Sequence, residues 1–238
     1  MKSEILERGC QTLGIILSGR QKDQFMQYYE LLIEWNKVMN LTGITEFDEV
    51  MQKHFLDSLS IVKAIKEKKN MKVLDIGTGA GFPGIPLKIV FSDWDIVLLD
   101  SLNKRIKFLD EVIKTLDLQG IKTVHGRAED FAKKEEYREK FDLVVSRAVA
   151  NLSTLSEYCL PYVREGGAFL SYKSTHIEQE LEESRKAISI LGGKIEEVIE
   201  FKLPDTEINR TLIQVQKIKK TPPKYPRKAG MPVKEPLK

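Results

Sequence analysis

At 238 residues, with 38 Lys+Arg against 35 Asp+Glu, a net charge of +3 and 42% hydrophobic residues, the chain is long enough for one large folded unit with a sizeable core. No apolar run approaches the roughly 20 residues that span a bilayer, and Met1-Lys2-Ser3-Glu4 lacks the charged-then-apolar order of a signal peptide, so a cytoplasmic location is expected. Cys10 and Cys159 stand far apart, with no Cys-x-x-Cys pair and only three histidines, which argues against a disulfide framework and against a zinc or other metal site.

From Ile5 to about Lys69 the pattern is helical. Phe25, Tyr28, Tyr29, Leu32, Ile33 and Trp35 recur mostly three and four residues apart, a stripe wide enough to bury. Asn40-Leu41-Thr42-Gly43 reads as a turn. A second helix then starts near Thr45, an expected N-cap, with Asp48 where a full capping box has Glu or Gln. His54 and Asp57, three apart, share a face of that helix and mark a pocket wall, the alternative being a satisfied structural histidine. Residues 1–70 are therefore expected to form an N-terminal helical extension packed on a sheet domain.

That domain, placed at 71–218, opens with Val73-Leu74-Asp75-Ile76 and the run Gly77-Thr78-Gly79-Ala80-Gly81-Phe82-Pro83-Gly84, after which apolar residues resume at helical spacing. This is the sequence form of strand, tight turn and helix. Glycines there permit positive φ and a close approach of a ligand to the main chain. A Walker A ending is absent, but Gly79, Gly81 and Gly84 have dinucleotide spacing, so these letters alone leave a dehydrogenase open. The other frame, Asp75-x-Gly77-x-Gly79-x-Gly81, resembles the first motif of class I S-adenosylmethionine (AdoMet) methyltransferases. The next strand, Asp95 to Leu99, ends at Asp100, a carboxylate suited to a ribose diol or to capping the helix after it.

Ser101 to Arg105 opens a helix with Ile106, Leu109, Val112, Ile113 and Leu116 on one side, and Gly120 stops it. A third strand, Ile121 to His125, leads to Ala128-Glu129, which resemble the slot beside the adenine in the methyltransferase class; Glu129 is also placed to cap a short helix. The fourth strand, Phe141 to Val145, ends in Ser146-Arg147-Ala148. The Asn/Asp-Pro-Pro-Tyr/Phe sequence of adenine amino-methylating enzymes and the cysteine of cytosine C5 enzymes do not occur there. An arginine at a strand tip needs a carboxylate, phosphate or carbonyl partner, and Arg147 is assigned to positioning cofactor or target, with a structural salt bridge as the alternative.

Pro161 and Gly166-Gly167 bracket a turn before a fifth strand, Ala168 to Lys173, and a charged helix runs from about His176 to Leu191. The last two strands, Lys194 to Leu203 and Arg210 to Ile218, are joined by a link too short for a crossover helix, so they are antiparallel. A mostly parallel sheet with an antiparallel last strand resembles the Rossmann-like class I methyltransferase sheet and not a six-stranded parallel dehydrogenase fold. Residues 217–238 hold eight Lys/Arg against Glu235, leaving 30 bases and 34 acids in the rest. With its five prolines, the tail, taken as 219–238, reads as an extended basic arm for phosphate contacts, or as a solubilising tail. Tyr225 beside Arg227 and Lys228 offers a stacking face and points to RNA.

Asp75 to Leu87, Leu99 to Arg105 and Val145 to Ala148, together with Trp35-Asn36, Asn40-Leu41-Thr42 and Tyr225 to Lys228, resemble the signatures of the glucose-inhibited division protein B family over nearly the whole chain. The resemblance implies a guanine-N7 methyltransferase of small-subunit (16S) ribosomal RNA with AdoMet as cofactor. It implies Gly77, Phe82, Ala128, Glu129 and Arg147 as cofactor contacts, with Asp75 and Gly79 in the first motif and Asp100 at the ribose. Guanine N7 already carries an in-plane lone pair, so no general base is demanded. The resemblance implies 16S RNA or the small subunit as substrate, and no obligate protein partner is expected. The alternatives are an AdoMet-dependent methyltransferase of another RNA, a protein or a small molecule, and a non-catalytic RNA-binding module.

Overall fold

The computed structural model describes residues 4–65, 69–147, 150–175 and 177–237. Met1 to Ser3, Ala148 of the fourth strand tip, His176 at the start of the charged helix and Lys238 lie outside the described residues.

Seven strands form one sheet: β1 (Lys72–Ile76), β2 (Asp95–Asp100), β3 (Ile121–His125), β4 (Phe141–Ser146), β5 (Val163–Lys173), β6 (Gly193–Lys202) and β7 (Asn209–Lys217). Their order is β3-β2-β1-β4-β5-β7-β6, with β7 antiparallel to both neighbours and the first five strands parallel. The central strands are buried on both faces, which is why they read as continuous Val/Ile/Leu runs rather than alternating ones. Strand order reverses between β2-β1 and β4, which places the ligand crevice at the carboxyl ends of β1 and β4.

Helices cover both faces: α1 (Glu4–Thr12), α2 (Gly19–Met39), α3 (Phe47–Val50), α4 (Asp57–Leu59), α5 (Gly84–Val90), α6 (Asn103–Thr115), α7 (Ala128–Phe131), α8 (Leu152–Cys159), α9 (Glu178–Ile190) and α10 (Met231–Lys234). Ser18 begins α2 with a reciprocal capping box to Gln21. The N-terminal helices share one core with the sheet, Leu6, Phe25, Tyr28 and Leu32 packing in the same cluster as Val73, Ile96 and Leu109. Between α3 and α4, Met51–Leu56 is wound as a π-helix, with the Asp57 amide donating to the carbonyl of Gln52. Thr45 does not cap this segment: Glu46 occupies the cap position without a side-chain bond, and the Thr45 carbonyl accepts from Tyr29 Oη at 3.3 Å.

One further expectation is corrected, and one element was not foreseen. Gly166-Gly167 is not a turn before β5 but lies inside it, where the register against β4 jumps from Phe141↔Val163 to Leu143↔Ala168. A Cβ on Gly167 would sit 2.7 Å from the Asp142 carbonyl, so only glycine passes there. α8 was not expected: its narrow apolar stripe, Leu152, Leu155 and Cys159, is set in a Ser/Thr-rich run, and Asn151 starts it by accepting from the Thr154 amide.

The tail is not an extended arm. It folds back across α7 and α8, and α10 forms despite Pro232, which sits in the first turn where the missing amide is harmless. Lys217, counted among the tail's charges, is buried with Nζ donating to Leu160 O, Val163 O and Thr221 Oγ1.

Candidate active site

The crevice at the carboxyl ends of β1, β2, β3 and β4 is an open cleft of about 920 Å³. Of the residues singled out from sequence, His54, Gly77, Gly79, Phe82, Asp100, Ala128, Glu129 and Arg147 line it, whereas Asp57, the other residue read as a pocket wall, does not. Asp75 does not, and its assignment as a cofactor contact is corrected. It is fully buried beneath the loop, where Oδ2 accepts from Thr78 Oγ1 at 2.7 Å and from the Gly84 amide at 2.9 Å. There it shapes the turn.

Burial, opposed by those two hydrogen bonds and by Arg147, pushes the Asp75 carboxyl up to about 7. The native state therefore holds this proton more tightly than the unfolded chain, and the group's contribution to stability falls as pH climbs from about 4 to about 7. Asp75→Asn keeps an acceptor for Thr78 and Gly84 while removing the titration. Thermal unfolding at pH 5 and pH 8 is expected to show a smaller pH-dependent loss in the variant than in the parent protein; identical losses would refute this role.

The loop after β1 is held from three sides. Gly77 and Gly79 have φ of 71° and 62°, the left-handed region where glycine is unstrained. Tyr28 Oη donates to the Ala80 carbonyl, so α2 grips the loop from below. Asp100, 2% exposed, accepts from the Gly79 amide at 2.9 Å and from Arg105 Nη1 at 3.1 Å on Oδ2, and from the Leu102 amide at 2.9 Å on Oδ1. Its carboxylate thus serves the turn before α6 and the cleft wall together. With about four lone-pair sites on its two oxygens and three taken by these donors, it retains acceptor capacity for one further hydroxyl.

On the opposite wall Phe82 stacks on His54, ring centroids 4.5 Å apart and planes 18° apart. Arg147 lies over the same phenyl ring at 5.0 Å. Its Nη1 donates to Asp57 Oδ2 at 3.0 Å and Lys53 O at 3.1 Å, and its Nη2 donates to His54 Nδ1 at 3.1 Å. Arg147 thus forms the salt bridge given above as the alternative, and it also borders the cleft. Asp57 is shared with Arg210, whose Nε lies 3.0 Å from Oδ1.

Because arginine only donates, His54 Nδ1 must accept, leaving Nε2–H to face Thr42 Oγ1 at 2.8 Å. Burial and the Arg147 charge hold His54 down to about 3, so it stays neutral. Thr42 reaches this position because Asn40 takes a left-handed conformation at the end of α2 and Asn36 Oδ1 accepts from the Thr42 amide.

Sequence reasoning missed Leu41 and Thr42 as cleft residues, and also Arg105, Arg127, Tyr158, Gly230, Val233 and Lys234. Arg105, five residues after Asp100, and Leu41 and Thr42 lay within the runs that carry the family resemblance. The residues assigned to RNA fare differently. Tyr225 is buried in the core and offers no open stacking face, and Arg227 is engaged by the buried Glu157 carboxylate at 2.6–3.1 Å. Lys228 is exposed.

The family model described as GidB, rRNA small subunit methyltransferase G, matches residues 21–210. Relatives named ribosomal RNA small subunit methyltransferase G include one from Lachnoclostridium phytofermentans, 57% identical over 97% of this chain and 95% of its own length. Another, from Clostridium tetani, is 53% identical over 99% of this chain and 98% of its own. Among solved structures, that of M. jannaschii TYW2 in complex with AdoMet superposes with a TM-score of 0.52 at 16% identity, covering 65% of this chain and 73% of that one. At that identity it shows the fold alone, the class I methyltransferase sheet.

Proposed function

The chain belongs to the rRNA small subunit methyltransferase G family, and from that premise we propose that it transfers a methyl group from AdoMet to N7 of a guanine in 16S ribosomal RNA. The observation that carries the reading is the convergence of a glycine main-chain turn, the buried Asp100 carboxylate and Ala128 on one cleft at the switch point of the sheet. The cleft fits the methyl donor. A Cβ built at Gly79 would meet only Gly77 O, at 3.9 Å, so the loop presents open main chain to the ligand. Asp100 supports the ribose diol, and the Phe82-His54 stack supplies an aromatic wall.

Bound there, AdoMet supplies an electrophilic sulfonium methyl. The guanine N7 lone pair needs no deprotonation, and the residues at the cleft agree with that. His54 is neutral with its Nδ1 lone pair engaged by Arg147, which makes it a positioning group rather than a base. The work left to the chain is alignment, where effective molarity contributes up to roughly 7–11 kcal/mol. Arg105, Arg127 and Lys234 at the cleft add positive charge for the RNA backbone, free or in the small subunit.

The test is transfer of label from methyl-tritiated AdoMet into deproteinised 16S RNA and into intact small subunits, followed by cleavage chemistry specific for N7-methylguanine. Label at N7 is expected. Label elsewhere on RNA corrects the target atom; none on either substrate, with AdoMet bound, refutes the substrate.

A further inference from the structure

The segment 221–237 follows the sheet as a strap, and its anchors are unusually specific. Arg138, on the connection before β4, donates to three of its carbonyls, Thr221 O at 2.8 Å, Pro222 O at 3.3 Å and Tyr225 O at 2.9 Å. Glu157, fully buried on α8, accepts from the Arg227 amide at 2.8 Å as well as from its guanidinium. Thr154 Oγ1 donates to Pro232 O at 2.9 Å, and Ser153 Oγ donates to Leu237 O at 2.5 Å. Main-chain carbonyls matched by side chains some 70 to 90 residues away describe a docked element, not a solubilising tail.

At its far end the strap enters the cleft. Gly230, Val233 and Lys234 line the same cavity as Ala128 and Glu129, and the Gly230 amide donates to Glu129 Oε1 at 2.9 Å. Glu129 is only 5% exposed, so this bond joins the strap to a buried acid of the β3 tip. Gly230 has φ of 83°, which only glycine takes without strain, and that turn starts α10 against the cleft. Val233, 62% exposed, contributes an apolar side chain to the cleft lining.

We infer that the C-terminal strap is a wall of the donor site, closing on the purine end of AdoMet and held there through Gly230 and Glu129. The inference rests on the methyl-donor reading of the cleft. Docking of the strap and binding of the nucleoside are then linked: whichever is present favours the other.

The experiment compares the full chain with a truncation after Lys228, which keeps Tyr225 in the core and the Arg227-Glu157 pair but removes Gly230, Val233 and Lys234. Calorimetric titrations use AdoMet and 5′-methylthioadenosine, which carries the nucleoside without the amino-acid end. Both Kd values are expected to rise at least tenfold, by similar factors. Unchanged values, or weakening confined to AdoMet, would overturn the strap as a purine wall. If the truncated chain fails to fold, limited trypsin digestion of the full chain decides. Cleavage after Lys228 and Lys234 is expected to slow at least tenfold with 5′-methylthioadenosine bound, and an unchanged rate would overturn the proposal. A full chain that binds neither nucleoside refutes the methyl-donor reading itself, and the strap's role with it.

Discussion

Replacing Arg147 with alanine is expected to lower turnover by roughly 100-fold, the penalty for misplacing reacting groups by about an ångström, beyond whatever it costs in stability. The side chain ties together the π-turn, through Lys53 O, His54 and Asp57, and the Phe82 ring at the cleft. Removing it frees the His54-Phe82 stack that borders the site. It also strips one cation from Asp57, whose carboxylate is only 6% exposed, and breaking a buried pair in this way costs about 3–5 kcal/mol. Here the loss should fall near the lower figure, because Arg210 remains on Asp57 Oδ1.

Arg210 supplies the matched control. Arg210→Ala takes the other cation from the same carboxylate, yet Arg210 does not line the cleft. Denaturant unfolding is expected to give comparable losses for the two variants, while single-turnover methyl transfer, measured where both are folded, drops only in Arg147→Ala. Equal loss of turnover in both would reduce Arg147 to a structural strut. Arg147→Lys should recover stability better than turnover, since an ammonium cannot span Asp57 and His54 as the planar fork does.

Much of this site was legible because its signals are local. β1, β2 and β4 announce themselves as short apolar runs, and the residues at their tips fall at the crevice because strand ends do so in this topology. Asp100 and Arg147 were placed at the crevice in that way, and Ala128 by its resemblance to the methyltransferase slot. What escaped depends on partners remote in sequence. Counting charges assigned Arg227 to a solvent-facing arm, but a count carries no information about Glu157, 70 residues away and buried. Lys217 misled for the same reason, its ammonium being satisfied by carbonyls of the loop before β5. Asp75 lies off the cleft wall because a motif gives spacing and not direction: its carboxylate turns inward to Thr78 and Gly84.

The glycines of the loop after β1 separate those two kinds of information, and their substitutions should separate as well. Gly81→Ala is expected to destabilise the fold by about 3 kcal/mol or more. Its φ of 97° is strained for any L side chain, and the added Cβ would lie 2.6 Å from Ile85 Cγ1, 2.7 Å from Tyr28 Oη and 2.9 Å from Leu109 Cδ2. The hydroxyl it meets is the one that holds the Ala80 carbonyl, so relief of the clash releases α2 from the loop. Gly79→Ala meets no such neighbours, and at φ of 62° an alanine there costs only about 1–2 kcal/mol. Its methyl would stand on the cleft surface where the donor approaches. The expected result is a crossed pair: Gly81→Ala lowers the melting temperature strongly, whereas Gly79→Ala melts close to the parent protein but weakens AdoMet binding by tenfold or more. Calorimetry of the Gly79 variant gives the decisive number, because an unchanged Kd would mean that the donor does not lie against this main chain.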